Sequence, residues 1–318
     1  MSSPATPRKT KLPFGSFLER ILSKLGLRGR TLVIAIPTLW LFVFFLVPFL
    51  VVAKISLSEA MIARPPYSSI WNWDDGVLNL TLNFGNYLFL LEDTLYFAAY
   101  MESVKIAFVS TVFALLIGFP MAYTIARSPD SRRNILLMLV ILPFWTSFLL
   151  RVYAWIGFLK TNGLINAFLL ATGIIDEPLI MLQTDFAVYV GIVYTYLPFM
   201  ILPLYANLVK LDDALLEAAS DLGAKPAMTF LTVTLPLAVP GIIAGSMLVF
   251  IPAIGEFVIP ALLGGPDTLM IGSVLWNEFF SNRDWPVASA VALVMLAVLV
   301  VPIMILRKAQ AASEGASQ

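Results

Sequence analysis

Two ionisable residues stand inside otherwise apolar runs: Arg151 in RNILLMLVILPFWTSFLLRVYAWIGFL and Glu256 in GSMLVFIPAIGEFVIPALL. A charge in hydrocarbon is costly, so each is a functional candidate by default. The alternative is that Arg151 and Glu256 pair with each other, or snorkel outward, and simply hold their spans together. The rest of the chain offers little reactive chemistry. It has no cysteine and no histidine. That removes disulfides, thiolate nucleophiles and Cys-ligated metals, together with the usual general base and the commonest metal ligand. No G-x-x-x-x-G-K-[ST] stretch is present, so the chain has no Walker-type site for ATP. Lysine plus arginine and aspartate plus glutamate number 20 each, which leaves no basic field for nucleic acid. Such a chain suits a conduit better than a catalyst.

The elements that hold these residues are spans. Hydrophobic residues make up 59% of the 318 and charged residues 13%, with a mean hydropathy of +0.89. A soluble domain is closer to half apolar and a quarter charged. The excess comes in long runs, so the expected class is an all-α integral membrane protein. The first run, about 32–53, is longer than a signal-peptide core and reads as a retained span. Five more follow at about 103–126, 135–159, 186–208, 235–262 and 285–306. The fifth carries Pro240 and Pro252 and is expected to tilt, kink or break. Residues 1–31 read as a basic tail, either solvated or with an amphipathic helix around 14–25 on the membrane surface. Residues 307–318 form a second tail.

Lysine and arginine set the orientation. They gather in the first tail, in Arg127, Arg132 and Arg133, in Lys210 and Lys225, and in Arg307 and Lys308. With six spans, all four groups fall on one side, so both termini are expected to be cytoplasmic. The opposite side holds the acidic segment 54–102. Trp71, Trp73, Trp155, Trp276 and Trp285 read as an interfacial belt. No internal duplication is visible, which disfavours a repeat-built secondary carrier.

One connection, 209–234, is polar at its start. Asp212 or Asp213 suits an N-cap for a helix over about 213–223, and Gly223 suits its left-handed end. Pro226 then suits the first turn of a second helix. Leu215, Ala218, Ala219 and Leu222 fall near one face, narrow enough for another backbone to approach. Such a helix either sits in a groove on a partner or packs on the end of its own bundle.

The stretch EAASDLGAKPAMTFLTVTLP resembles the EAA signature of bacterial ABC-importer permeases, roughly E-A-A-x3-G-x9-I-x-L-P. Glu217, Ala218, Ala219, Gly223, Leu235 and Pro236 match at that spacing, and Val233 stands where isoleucine is usual. The segments GIVYTYLPFMILPLY, GSMLVFIPAIGEFVIPALLGGPDTLMIGSVLW and FFSNRDWPVASA are similar to the polyamine-importer permeases, most of all to the first permease subunits of putrescine importers.

The resemblance implies a type I ABC-importer permease fold in the bacterial inner membrane, with no catalytic centre and no cofactor of its own. ATP and Mg would be bound by a cytoplasmic ABC ATPase dimer. The loop with Glu217, Ala218, Ala219, Asp221, Gly223 and Pro236 would be the coupling helix that docks on that ATPase. A second homologous permease subunit and a periplasmic polyamine-binding protein would complete the machine. Putrescine is the expected cargo, with spermidine or another small cationic amine as the alternative and a secondary amine carrier further off. A path for a dication needs carboxylates and aromatic faces. Glu256, Tyr194, Tyr196, Trp145 and Tyr153 are the candidates for it, though each aromatic would serve equally as packing.

Overall fold

The computed structural model describes residues 29–74 and 77–315. The amphipathic helix expected around 14–25 lies outside the described residues. The chain enters through α1 (Gly29–Leu41), a π-helical turn (Phe42–Leu46) and α2 (Val47–Ser56). A short antiparallel hairpin follows, β1 (Trp71–Asp74) and β2 (Val77–Leu80), with Trp71 opposite Leu80. Among the described residues it is the exception in an otherwise helical fold. Next come α3 (Gly85–Glu92), α4 (Thr94–Ala126) and α5 (Asp130–Ile141). A 3-10 turn (Leu142–Trp145) leads to α6 (Phe148–Leu159) and α7 (Leu164–Ala171). Helix α8 (Asp185–Leu208) precedes α9 (Asp213–Asp221) and the single turn α10 (Pro226–Thr229). A π-helical turn (Phe230–Thr234) opens into α11 (Leu235–Ile254). The chain ends in α12 (Val258–Leu263), α13 (Ile271–Trp276), a second π segment (Asn277–Asn282) and α14 (Trp285–Gly315).

Among the described residues five stretches are long and apolar enough to cross a membrane: Val33–Ser56, Thr94–Ala126, Phe148–Ala171, Asp185–Leu208 and Pro226–Ile254. Trp285–Val300 is a shorter sixth. Two expected boundaries need correction. The run 135–159 is not one helix. Pro143 tightens the backbone into a 3-10 turn, and Thr146 is extended at φ −98°, ψ 152°. The crossing stretch therefore moves to 148–171. The run 235–262, expected to tilt, kink or break, does break, at Gly255, so α11 and α12 are separate. Span two starts earlier than expected, at Thr94, because Asp93 caps it by accepting from the Leu95 amide at 2.9 Å.

Helices α4, α8 and α11 form the centre, with Ile106, Ile192, Met200, Ile201, Leu204 and Ile254 buried among them. Small residues allow the close approach that helices in lipid rely on. A Cβ on Gly245 would meet Met200 Sδ at 2.8 Å, and one on Gly241 would meet Asn207 Cβ at 2.8 Å. By contrast, α1 and its π-turn expose Trp40, Phe44 and Phe45, and α2 packs on α14.

Polar anchors sort the two ends of the bundle. Arg127, just past α4, reaches Asp213 at the start of α9. At the other end of α4, the Tyr96 hydroxyl donates to Glu278 Oε1 at 2.9 Å, and Ser103 Oγ accepts from the Ile271 amide at 2.8 Å. Helix α9 therefore lies at one end, and the segments around α3, α13 and the second π segment lie at the opposite end.

Candidate functional site

Helix α9 is built by local rules. Asp212 Oδ1 accepts from the Ala214 amide at 3.0 Å, which caps the helix. Gly223, at φ +80°, closes it in the left-handed region, and the Ala224 amide donates back to the Ala219 carbonyl at 3.0 Å. Leu216 and Ala219 are half-buried toward the body. Leu215, Ala218 and Leu222 are exposed, Leu222 to 89%. At spacings of three and four they form one apolar stripe on the outward side, bordered on one edge by exposed Asp221, with exposed Glu217 further round the helix. Of the four expected apolar residues, then, Ala219 turns inward. Pro236 sits in the first turn of α11 and is exposed.

The sequence pattern gave no sign of the strut behind this helix. Arg127 Nη1 donates to Asp213 Oδ1, and its guanidinium lies 5.7 Å from the Tyr123 ring centroid. Arg133, on α5, donates to Asp130 at 2.7 Å and to the Ser128 carbonyl at 3.0 Å. The end of α4, the start of α5 and the start of α9 are thus tied together by two arginines whose charge in the sequence signals only orientation.

The second site is the break between α11 and α12. Glu256 is buried, with 8% exposure. Its Oε2 accepts from the Tyr196 hydroxyl at 2.6 Å, and its Oε1 accepts from the Val258 and Ile259 amides at 3.0 and 3.4 Å. The carboxylate thereby serves the free amides of α12 and ties them to α8. Gly272 seals the break from behind, since a Cβ there would meet the Gly255 and Glu256 carbonyls at 2.5 and 2.7 Å.

The expected pairing of Arg151 with Glu256 is not formed. Chain position fixes the height of each residue but not the direction it faces around its helix. Among the described residues Arg151 has no carboxylate partner. Its guanidinium lies 5.6 Å from the Phe144 ring centroid and 6.0 Å from that of Phe148, and Nε and Nη1 are buried without an acceptor.

The aromatic candidates divide. Tyr196 joins Glu256. Tyr194 packs edge-on to Trp155 with centroids 5.4 Å apart, so Trp155, expected in the interfacial belt, is a packing residue. Trp145 and Tyr153 are exposed, to 77% and 56%, and meet neither Glu256 nor each other. An aromatic ladder went unforeseen. Phe257, beside Glu256, stacks on Trp276 at 4.4 Å, and Trp276 meets Phe280 at 4.1 Å. Phe280 meets Phe279, which stacks on Trp285 at 4.9 Å. The spacing of Trp276, Phe279 and Phe280 was the available signal, and it reads equally as a membrane belt. Among the described residues no cluster of acidic side chains could hold a metal.

Residues 114–312 match the family described as "Binding-protein-dependent transport system inner membrane component". The spermidine/putrescine transport system permease protein PotB of Escherichia coli (strain K12) is 43% identical over 226 residues, 71% of this chain and 82% of that protein. The protein of the same name from Haemophilus influenzae is 40% identical over 274 residues, 85% of this chain and 91% of the relative. The crystal structure of a bacterial alginate ABC transporter, in complex with an alginate pentasaccharide-bound periplasmic protein, superposes with a TM-score of 0.66 at 16% identity. It covers 90% of this chain and 95% of that one, and at that identity it shows the fold alone. The chain belongs to the binding-protein-dependent inner-membrane permeases, the non-catalytic membrane subunits of ABC importers.

Proposed function

We propose that this permease carries polyamines inward, with putrescine the expected cargo, and that α9 is the helix through which a partner ATPase drives it. The observation that carries the coupling role is the outward stripe of Leu215, Ala218 and Leu222 on a short, capped helix at one end of the bundle. An apolar face left open on a rigid helix is suited to a groove on another protein. The cargo follows from the names of relatives at 40–43% identity. Those names carry spermidine as well, which keeps spermidine as the second reading.

In this reading both termini and α9 face the cytoplasm, where a dimeric ATPase holds ATP and Mg. A second homologous permease completes the pore, and a periplasmic binding protein brings the amine. ATP binding draws the coupling helices together and opens the pore outward, and hydrolysis resets it. The Arg127–Asp213 strut would pass movement of α9 to the end of α4. Alternating access of this kind needs two bundle arrangements of similar energy.

The test is uptake of labelled putrescine, with spermidine as competitor, in cells making the full transporter. Gly223→Asp forces a side chain into the left-handed region, at a cost of roughly 1–2 kcal/mol. Glu217→Lys reverses a charge on the same short helix. At matched membrane levels both are expected to lose uptake and to lose co-purification of the ATPase. Unchanged uptake in both would make α9 mere packing and bring a secondary carrier forward. Stronger competition by spermidine than by putrescine itself would move the cargo to spermidine.

A further inference from the structure

At the end of the bundle away from α9, a surface cavity of about 430 Å³ opens between the loop before the hairpin and the start of α14. Arg64 and Arg283 both line it, with Phe279, Phe280 and Trp285 as its aromatic wall. The wall is rigid: Phe279 and Trp285 stack within 5° of parallel, and Tyr67 packs on Trp285 at 6.1 Å.

Both arginines are exposed, and among the described residues neither pairs with a carboxylate. The acids nearest in sequence to Arg283 are already engaged. Glu278 accepts from Tyr96 and from Asn282, and Asp284 accepts from the Val287 amide at 3.0 Å. Arg283 itself is held at φ +56°, an uncommon conformation for a residue with a side chain, and its amide donates to the Glu278 carbonyl. The chain therefore presents two uncommitted guanidinium groups on a fixed aromatic platform.

Two arginines repel a dication, so this cavity is not a station on an amine path. Their chemistry calls for carboxylates, which a guanidinium takes in two parallel hydrogen bonds. We infer that the Arg64–Arg283 cavity is a docking site for an acidic surface of the binding protein that delivers the cargo. This rests on the importer reading above. A protein that holds a cationic amine must surround it with acceptors and negative charge. Carboxylates on the face of that protein that meets this end of the bundle would fill both guanidinium forks. The same arginines would keep free amine off the contact while steering the acidic carrier onto it.

The experiment uses the complete purified transporter in lipid nanodiscs and reads its ATPase rate against the concentration of amine-loaded binding protein. The double variant Arg64→Gln/Arg283→Gln is expected to raise the half-saturating concentration about tenfold at low salt and to leave the maximum rate in place. The gap should close at about 0.5 M salt, where exposed charges are screened. An unchanged half-saturation, or a rise that salt does not alter, would overturn the inference. Arg64→Gln alone, in a loop, serves if the double variant fails to assemble, with a rise of about threefold expected. A response that follows the anionic-lipid content of the nanodisc, with half-saturation unmoved, would give the cavity to a headgroup instead. A wild-type transporter that no loaded binding protein stimulates would sink the importer reading and this site with it.

Discussion

The chain interrupts two of its membrane helices beside a charged residue, and the two breaks are finished differently. At 255–257 the Glu256 carboxylate takes three hydrogen bonds, from Tyr196, Val258 and Ile259, and Gly272 closes the space behind it. At 142–147 Arg151 is cradled by two phenylalanine rings, yet two of its nitrogens are enclosed with no acceptor. Trp145 and Leu150 beside it are exposed to 77% and 67%. An unsatisfied buried donor forfeits its hydration with nothing in return. The first break is complete within one chain. The second leaves two buried donors and an exposed aromatic face that the second permease of the proposed transporter would be placed to satisfy and cover.

The largest expected effect comes from emptying the complete break. Glu256→Leu strands the Tyr196 hydroxyl and two amides, at a cost of about 2–4 kcal/mol. The fraction of transporter that survives heating should fall sharply, and Tyr196→Phe in the same background should recover part of it, since both partners of one bond are then removed. Glu256→Gln separates charge from shape. An amide keeps an acceptor for α12 and a group for Tyr196, so survival and putrescine uptake are both expected to stay within about twofold of wild type. Uptake lost at normal survival would return Glu256 to the substrate path, where its position in an apolar run first placed it.

Gly272→Ala tests the seal. Its Cβ would run into two backbone carbonyls, which cannot turn aside as a side chain can. A loss of about 1–3 kcal/mol is expected, read again as heat survival, and a neutral result would mean the break is looser than its packing implies.

The two sites were not equally legible in the sequence. The ends of α9 could be read because Asp212 and Gly223 act on backbone within a few residues of themselves. The apolar character of the spans was legible for the same reason: composition is a local property. The partners of Arg151 and Glu256 were not legible. Depth along a helix follows from counting, but facing follows from how α4, α8 and α11 roll against one another, and contacts such as Gly245 on Met200 decide that. The turn at Leu142–Trp145 was hidden because hydropathy is blind to backbone. An apolar run with a proline reads as one kinked span whether or not the residue at Thr146 is extended. The hairpin at 71–80 was hidden by its shortness.

The smallest effect is expected at the incomplete break, and it sharpens the contrast most. Arg151→Met keeps an unbranched chain between Phe144 and Phe148 and removes the two stranded donors. Sulfur against aromatic rings replaces much of the cation–π attraction. Within this chain the exchange should be neutral or favourable, within about 1 kcal/mol. Heat survival of the permease alone should therefore be unchanged. If a neighbouring subunit supplies the acceptor, the same substitution removes that bond, and retention of the second permease on purification should fall at unchanged survival of this one. Arg151→Lys keeps the charge but loses the planar fork and should recover only part of that retention. Equal retention in all three would leave Arg151 as a cation held only by its two rings, and the break at 142–147 would then be as self-contained as its counterpart.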